Sequence, residues 1–304
     1  MRALITGAGG FVGAHLARHL ETAGDHVVCT DRRTGGPDIL DVDAIAAIVR
    51  DSEADVVYHL AGQADVAASW QDPQGTLRDN AEGTLNVLRA ATESGIGRVL
   101  VVSSAEVYGK ISAAALPITE QQPLDPASPY AASKAAAEMV CIQWANAGLG
   151  VVRARAFNHL GPGQSERFVA SALAGRMVRA KTAGERQITV GNLDARRDFT
   201  DVRDVVRAYR LLAIHGEAGE AYNVCSGVDR SIRELVDVFV DRLSHPLELT
   251  PDPALQRPSD LPVLRGDPTK IRTITGWEPS IALVTTVDDI IGHAQHVAAS
   301  NPPT

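Results

Sequence analysis

Apolar positions along this chain fall into two rhythms that take turns. Short apolar runs at Arg2 to Thr6, His26 to Thr30, Asp55 to Leu60, Arg98 to Val102 and Gly150 to Ala156 read as buried strands. Between them, apolar residues recur three or four apart. Phe11, Val12, Leu16 and Leu20 mark one helix, and Val42 to Val49 a second. Asp79 to Ser94 is a third, with Leu85, Val87, Leu88 and Ala91 on its buried side. Ser128 and Pro129 open a further helix. Strands alternating with helices predict an α/β fold with a doubly wound parallel sheet.

The rhythm breaks near residue 160. A helix from about Ser165 to Ala180 and a short strand near Ile188 to Val190 follow. Helices then cover about Val202 to His215 and Ser231 to Arg242, with a strand-like Ala221 to Val224 between them. The Pro-rich piece from Pro246 to Pro268 reads as loop with short strands, and a last helix runs from about Val284 to Ala298. Residues 1–160 therefore form the expected core. Residues 161–304 form mainly a smaller C-terminal substrate-binding lobe, with some segments returning to the core.

Composition narrows the partners. The chain has 304 residues, 45% hydrophobic and 22% charged, which is ordinary for a globular protein. A formal net charge of −8 argues against nucleic acid and against a polybasic membrane surface. Three cysteines without C-x-x-C spacing, and no apolar run of about 18 residues or signal-peptide pattern, point to a cytoplasmic protein with no metal framework. In so acidic a chain, an anionic ligand needs a local cluster of arginines. Arg197, Arg203 and Arg257 are the candidates, since a guanidinium forks onto phosphate oxygens.

The first strand runs directly into Gly7-Ala-Gly-Gly-Phe-Val-Gly13 and a helix. Gly7, Gly10 and Gly13 permit a tight turn, close approach to a pyrophosphate and close helix packing, with Phe11 and Val12 opening the helix. Asp31, roughly 20 residues further on, suits the adenosine ribose hydroxyls. Arg32 and Arg33 follow it and suit a 2′-phosphate, so NAD and NADP both stay open. Asp38 and Ile39 are placed beside the adenine. Leu60, Ala61 and Gly62 end the third strand, where small residues let backbone approach a cofactor, while His59 reads as a packed histidine. Asn80 is placed to reach back to the loop after strand four.

The fourth strand leads to Ser104 and Glu106, and the helix beyond carries Tyr130 and Lys134. Residues i and i+4 share a helix face, so Tyr130 and Lys134 project together, and the ammonium is expected to lower the phenol pKa. Such a phenol can exchange a proton with a carbonyl or alcohol oxygen, with Ser104 donating to the same oxygen. Glu106 is either a base in the cleft or a solvated surface charge.

These residues together resemble the extended short-chain dehydrogenase/reductase family, in its nucleotide-sugar branch. The glycine turn, His59 to Gln63, Asn80 to Asn86, Ser104, Tyr130, Lys134, Arg197 to Asp204, Arg257-Pro-Ser-Asp260 and Gly266-Asp-Pro-Thr-Lys270 carry the likeness. It implies a Rossmann core, NAD(P)H, a nucleotide-diphosphate sugar, and a homodimer packed through the helices near 85 and 140. It also implies Ser104, Tyr130 and Lys134 as the catalytic triad, and Asn158 and Asn223 beside the three arginines and Ser104 as substrate contacts. Phe157 to Gln164, Arg197 to Asp204 and Tyr222 to Gly227 look most like GDP-4-keto-6-deoxy-D-mannose reductases. A 4,6-dehydratase using Glu106 as base, or a 4-epimerase, remains open within the branch. A cofactor-binding regulator without catalysis is the non-enzyme alternative, and it would be expected to have lost Tyr130 or Lys134. Ala156 and Gly62 depart from the family pattern, where Pro and Ala are usual.

Overall fold

The computed structural model describes residues 1–252, 255 and 261–300. Its main sheet is built from β1 (Arg2–Thr6), β2 (His26–Thr30), β3 (Val56–His59), β4 (Arg98–Ser104) and β5 (Gly150–Ala156). Smaller sheets use β6 (Asn158–Leu160), β7 (Gln187–Val190) and β8 (Arg196–Asp201). The main sheet is completed by β9 (Ala221–Val224), and β10 (Asp229–Ser231), β11 (Glu248–Pro251) and β12 (Val263–Leu264) are peripheral. The spatial order β2-β1-β3-β4-β5-β9 is parallel throughout. The order reverses between β1 and β3, and the crevice at the carboxyl ends of those strands is where such sheets bind ligands.

The helices are α1 (Phe11–Thr22), α2 (Val42–Ser52), α3 (Val66–Gln71), α4 (Pro73–Leu77), α5 (Gly83–Glu93) and α6 (Pro129–Asn146). After them come α7 (Val169–Ala183), α8 (Val202–His215), α9 (Ile232–Leu243), α10 (Thr269–Thr275) and α11 (Leu283–Ser300). Successive strand side chains point to opposite faces, and both faces are covered. Ala3, Ile5, Val56, Tyr58, Leu100, Val152 and Ala154 pack against Leu16 and Leu20 of α1 and Val205, Tyr209 and Leu212 of α8. Leu4, Val57, Val99, Val101 and Val151 face the other way, onto Ile45 and Val49 of α2, Val87 and Leu88 of α5 and Cys141 of α6. A further core lies between α7, α9 and α11, around Leu173, Met177, Leu235, Phe239 and Ile290.

Three expectations shift. Leu85 is 40% exposed rather than buried, because Thr84, Val87, Leu88 and Ala91 take the inward face of α5. The helix expected from Asp79 is interrupted: residues 78–82 form a π-turn, and regular helix resumes at Gly83. Residues 196–201, expected only as a motif, form β8, paired with β6, β10 and β12. Among the described residues, no helix is long and apolar enough to cross a membrane.

Candidate active site

The turn after β1 is built by glycines that accept no side chain. Gly7 has φ of +78°, and a Cβ there would lie 2.6 Å from the Ala61 nitrogen. A Cβ on Gly13 would lie 2.2 Å from the Gly7 carbonyl oxygen. Gly10 caps α1 without any side-chain hydrogen bond, and the first turn holds no acid, so its N–H groups face the crevice uncompensated. Asp31 accepts from Gly9 N at 3.1 Å and Arg33 N at 2.7 Å, which fixes its carboxylate beside the turn. Arg32 is paired with Asp38 at 2.7 Å. Gly62, with φ of +142°, lies so close to Asn80 that a Cβ would come within 2.3 Å of its Oδ1. A pyrophosphate cradle next to a ribose acceptor is the fit expected of a dinucleotide.

This cradle forms one end of a cavity of about 930 Å³. Gly7, Gly10, Phe11, Val12, Gly13, Asp31, Arg32, Asp38, Ile39, Leu60, Ala61 and Gly62 line it, and so do Ser104, Glu106, Tyr130, Lys134 and Asn158. The catalytic candidates, far apart in the chain, thus meet on one wall. Ser104 ends β4 and caps the following turn, its Oγ accepting from Glu106 N at 3.2 Å. Ser128 caps α6 by accepting from Ala131 N, and Pro129 takes the first turn, which sets Tyr130 at the mouth of the helix.

Burial governs the chemistry of this wall. The Tyr130 phenol is pushed up to about 12, a hydrogen bond from Ser104 pulling against burial and the Glu106 charge adding to it. The expected lowering by Lys134 is therefore overturned. Lys134 is itself held down to about 8 by burial, and its Nζ donates to the Val102 carbonyl at 3.0 Å. His59 is buried between Thr6 Oγ1 at 2.7 Å and Thr84 Oγ1 at 3.1 Å. Burial and then Lys134 depress it to about 3, so it is a neutral packing residue.

Several candidates lie elsewhere. Asn80 is buried behind the wall, accepting from Gln63 N and donating to Gln63 O and Ser133 Oγ. It therefore braces the loop after β3, not the loop after β4, and does not itself line the cavity. Asn223 is fully buried, accepting from Tyr108 Oη at 2.6 Å and donating to Ile118 O at 2.8 Å, so its place is the core. Arg203 forks onto Asp201 and meets Asp289 at 2.8 Å. Arg197 donates to Leu261 O at 2.7 Å. Neither arginine is among the described residues lining the cavity, and Arg257 lies outside the described residues. Arg167, which sequence reasoning passed over, does line it, with Asp65 3.8 Å away. Its isolated position in a loop carried no signal. Phe11 stacks on His159 at 6.2 Å, and His15 Nε2 lies 3.0 Å from Pro162 O, joining α1 to the loop after β6. Among the described residues, no cluster of His, Cys, Asp or Glu is placed to hold a metal ion.

Residues 3–225 match the NAD dependent epimerase/dehydratase family. The chain belongs to that family. It is 41% identical to the GDP-6-deoxy-D-mannose reductase of Pseudomonas aeruginosa, over 93% of both chains. A UDP-glucose 4-epimerase of Mycolicibacterium smegmatis is 32% identical, over 93% of this chain and 95% of that one. Among solved structures, RMD from Pseudomonas aeruginosa complexed with NADPH superimposes with a TM-score of 0.88 at 37% identity, covering 98% of this chain and 100% of that one. As a member of this family the protein is an NAD(P)-dependent nucleotide-sugar enzyme of the extended short-chain dehydrogenase/reductase type.

Proposed function

We propose that this protein reduces the C4 ketone of a nucleotide-diphospho-4-keto-6-deoxy-hexose, converting GDP-4-keto-6-deoxy-D-mannose to GDP-D-rhamnose. The observation that carries the reading is the meeting of Ser104, Tyr130 and Lys134 in one cavity with the glycine cradle, in a chain 41% identical to a GDP-6-deoxy-D-mannose reductase. The nicotinamide cofactor, when bound, supplies the hydride. Tyr130, kept protonated by burial, donates its proton to the ketone oxygen. Ser104 donates a hydrogen bond to the same oxygen. Lys134 has spent one of three N–H donors on Val102 and keeps two for the cofactor ribose.

On the substrate side, Asn158 Oδ1 is buried without a partner and offers an acceptor to a sugar or nucleotide hydroxyl. Arg167 supplies a guanidinium to the diphosphate. Exposed Leu77, Leu85 and Met139 lie on α4, α5 and α6, which pack together, and supply the apolar face of a homodimer in the cytosol. Glu106 favours a second reading: it lines the cavity and its charge acts on Tyr130, as a 4,6-dehydratase base at C5 would.

One paired assay separates the two. GDP-4-keto-6-deoxy-mannose with NADH or NADPH is expected to consume the reduced cofactor and yield a 6-deoxy-hexose. Loss of water from GDP-mannose with oxidised cofactor would replace the reductase by the dehydratase.

A further inference from the structure

One turn beyond Lys134 on α6 stands Glu138, 1% exposed and outside the cavity lining. A lone carboxylate at such a depth is costly unless several donors hold it. Here four do. Ser103 Oγ donates to it at 2.6 Å, Arg153 Nη1 at 3.0 Å, Arg155 Nε at 2.9 Å and Arg155 Nη2 at 2.7 Å. These donors come from two different strands. Ser103 is the β4 residue immediately before Ser104, and Arg153 and Arg155 belong to β5, whose register with β4 pairs Arg155 with Ser103.

The cluster continues towards Glu106. Arg155 Nη1 donates to Tyr108 Oη at 2.9 Å, and Tyr108 donates to Asn223 Oδ1 at 2.6 Å. Tyr108 shares the short turn 105–108 with Glu106. One buried carboxylate thus ties the helix of Tyr130 and Lys134 to the strand end of Ser104 and, only through Arg155 and Tyr108, to the turn of Glu106.

We propose that Glu138 is a positioning residue: clamped by Ser103, Arg153 and Arg155, it sets the register of α6 against β4 and so the spacing of Ser104, Tyr130 and Lys134. The physical reason is geometric. The helix could slide or tilt along an apolar contact with little change in burial, whereas a fork of charged hydrogen bonds tolerates only a few tenths of an ångström. Glu138 also sustains the charge of Lys134 against the pull of burial. This proposal rests on the reading of Tyr130 and Lys134 as catalytic.

The test uses the full-length protein and four variants: E138Q, E138D, Y108F and Y130F. Each is measured for kcat and KM on GDP-4-keto-6-deoxy-mannose, NADPH affinity by fluorescence titration, and thermal unfolding. In E138Q, kcat is expected to fall by about 10–100-fold, as a displacement of order 1 Å does, with KM within about threefold. NADPH affinity falls roughly tenfold as Lys134 loses its aim at the ribose. E138D, which keeps the charge, recovers part of kcat, and Y108F shows the smallest loss.

Folded E138Q and E138D with wild-type kcat and NADPH affinity, and only a lower melting temperature, would overturn the proposal and leave Glu138 a stability element. Should E138Q fail to fold, E138D and Y108F decide by the same readouts. A Y130F protein as active as wild type would instead remove the catalytic reading, and the role of Glu138 with it. If wild-type protein does not turn over this substrate, unchanged NADPH affinity in E138Q or E138D still counts against the positioning role.

Discussion

Tyr130 and Lys134 stand one helical turn apart, and the same burial moves them in opposite directions. The phenol rises from 10.0 to about 12, while the ammonium falls from 10.5 to about 8. Burial disfavours whichever form is charged, so the acid holds its proton longer and the base loses its own sooner.

The alkaline side of the activity profile should therefore belong to Lys134. Ketone reduction is expected to lose kcat/KM as pH rises through about 8, while Tyr130 stays protonated there. A Lys134→Arg variant, slower at every pH, should lack this limb. Stability carries the opposite sign over part of the range. Between about 8 and 10.5 the unfolded lysine holds more protons than the folded one, so this group makes stability rise with pH. For Tyr130, between 10.0 and about 12, the folded form holds more protons and its contribution declines. Rate profiles on wild type and variant check the first statement, and urea titrations at several pH values check the second.

Glu106→Gln separates the two reactions. A reductase keeps its ketone reduction within about threefold, whereas a dehydratase losing its base drops by about 10²–10⁴-fold. Initial rates on both substrates decide, and a large loss in ketone reduction would place Glu106 in the reductase mechanism after all.

Gly13→Ala drives a methyl to 2.2 Å from the Gly7 carbonyl oxygen and 2.7 Å from Ala8 Cα, both backbone atoms. The glycine turn must open, at a cost of about 1–3 kcal/mol. Reduced-cofactor affinity should fall in parallel. A variant that binds NADPH like wild type would show that the turn does not cradle the phosphates.

Arg33 lines the cavity beside Asp31, while its neighbour Arg32 is held by Asp38. Arg33→Ala should weaken NADPH by about tenfold, the value of one charge-assisted hydrogen bond to phosphate, and leave NADH nearly unchanged. Equal losses for both cofactors would point away from a 2′-phosphate contact.

A charged residue at the centre of an apolar face should prevent self-association. The pair Leu85→Glu and Met139→Glu is expected to convert a dimer to a monomer in sedimentation velocity, without loss of secondary structure. A wild-type monomer, or an unchanged variant, would remove this face as the interface.

Much of this protein could be read directly from the order of its residues. The glycine turn was legible because its requirement is local: Gly7 and Gly13 are dictated by backbone atoms within one turn and the strand beside it. The strands were legible because both faces of the sheet are covered, which leaves continuous apolar runs. The pairing of Tyr130 with Lys134 follows from helical spacing alone. Identical arginines were not separable in this way. Arg203 turned to Asp201 and Asp289, Arg197 to a backbone carbonyl and Arg167 to the cavity, according to partners brought in from other elements.

By itself, the sequence determined the alternating architecture, the glycine turn after β1 and the shared helix face of Tyr130 and Lys134, since each rests on short-range periodicity or sterics. Only the tertiary structure decided the direction of the Tyr130 and Lys134 shifts, the outward turn of Leu85 and the burial of Glu138 between two strands. Dielectric environment and hydrogen-bond partners are properties of the packed interior, and they exist only once distant segments have come together.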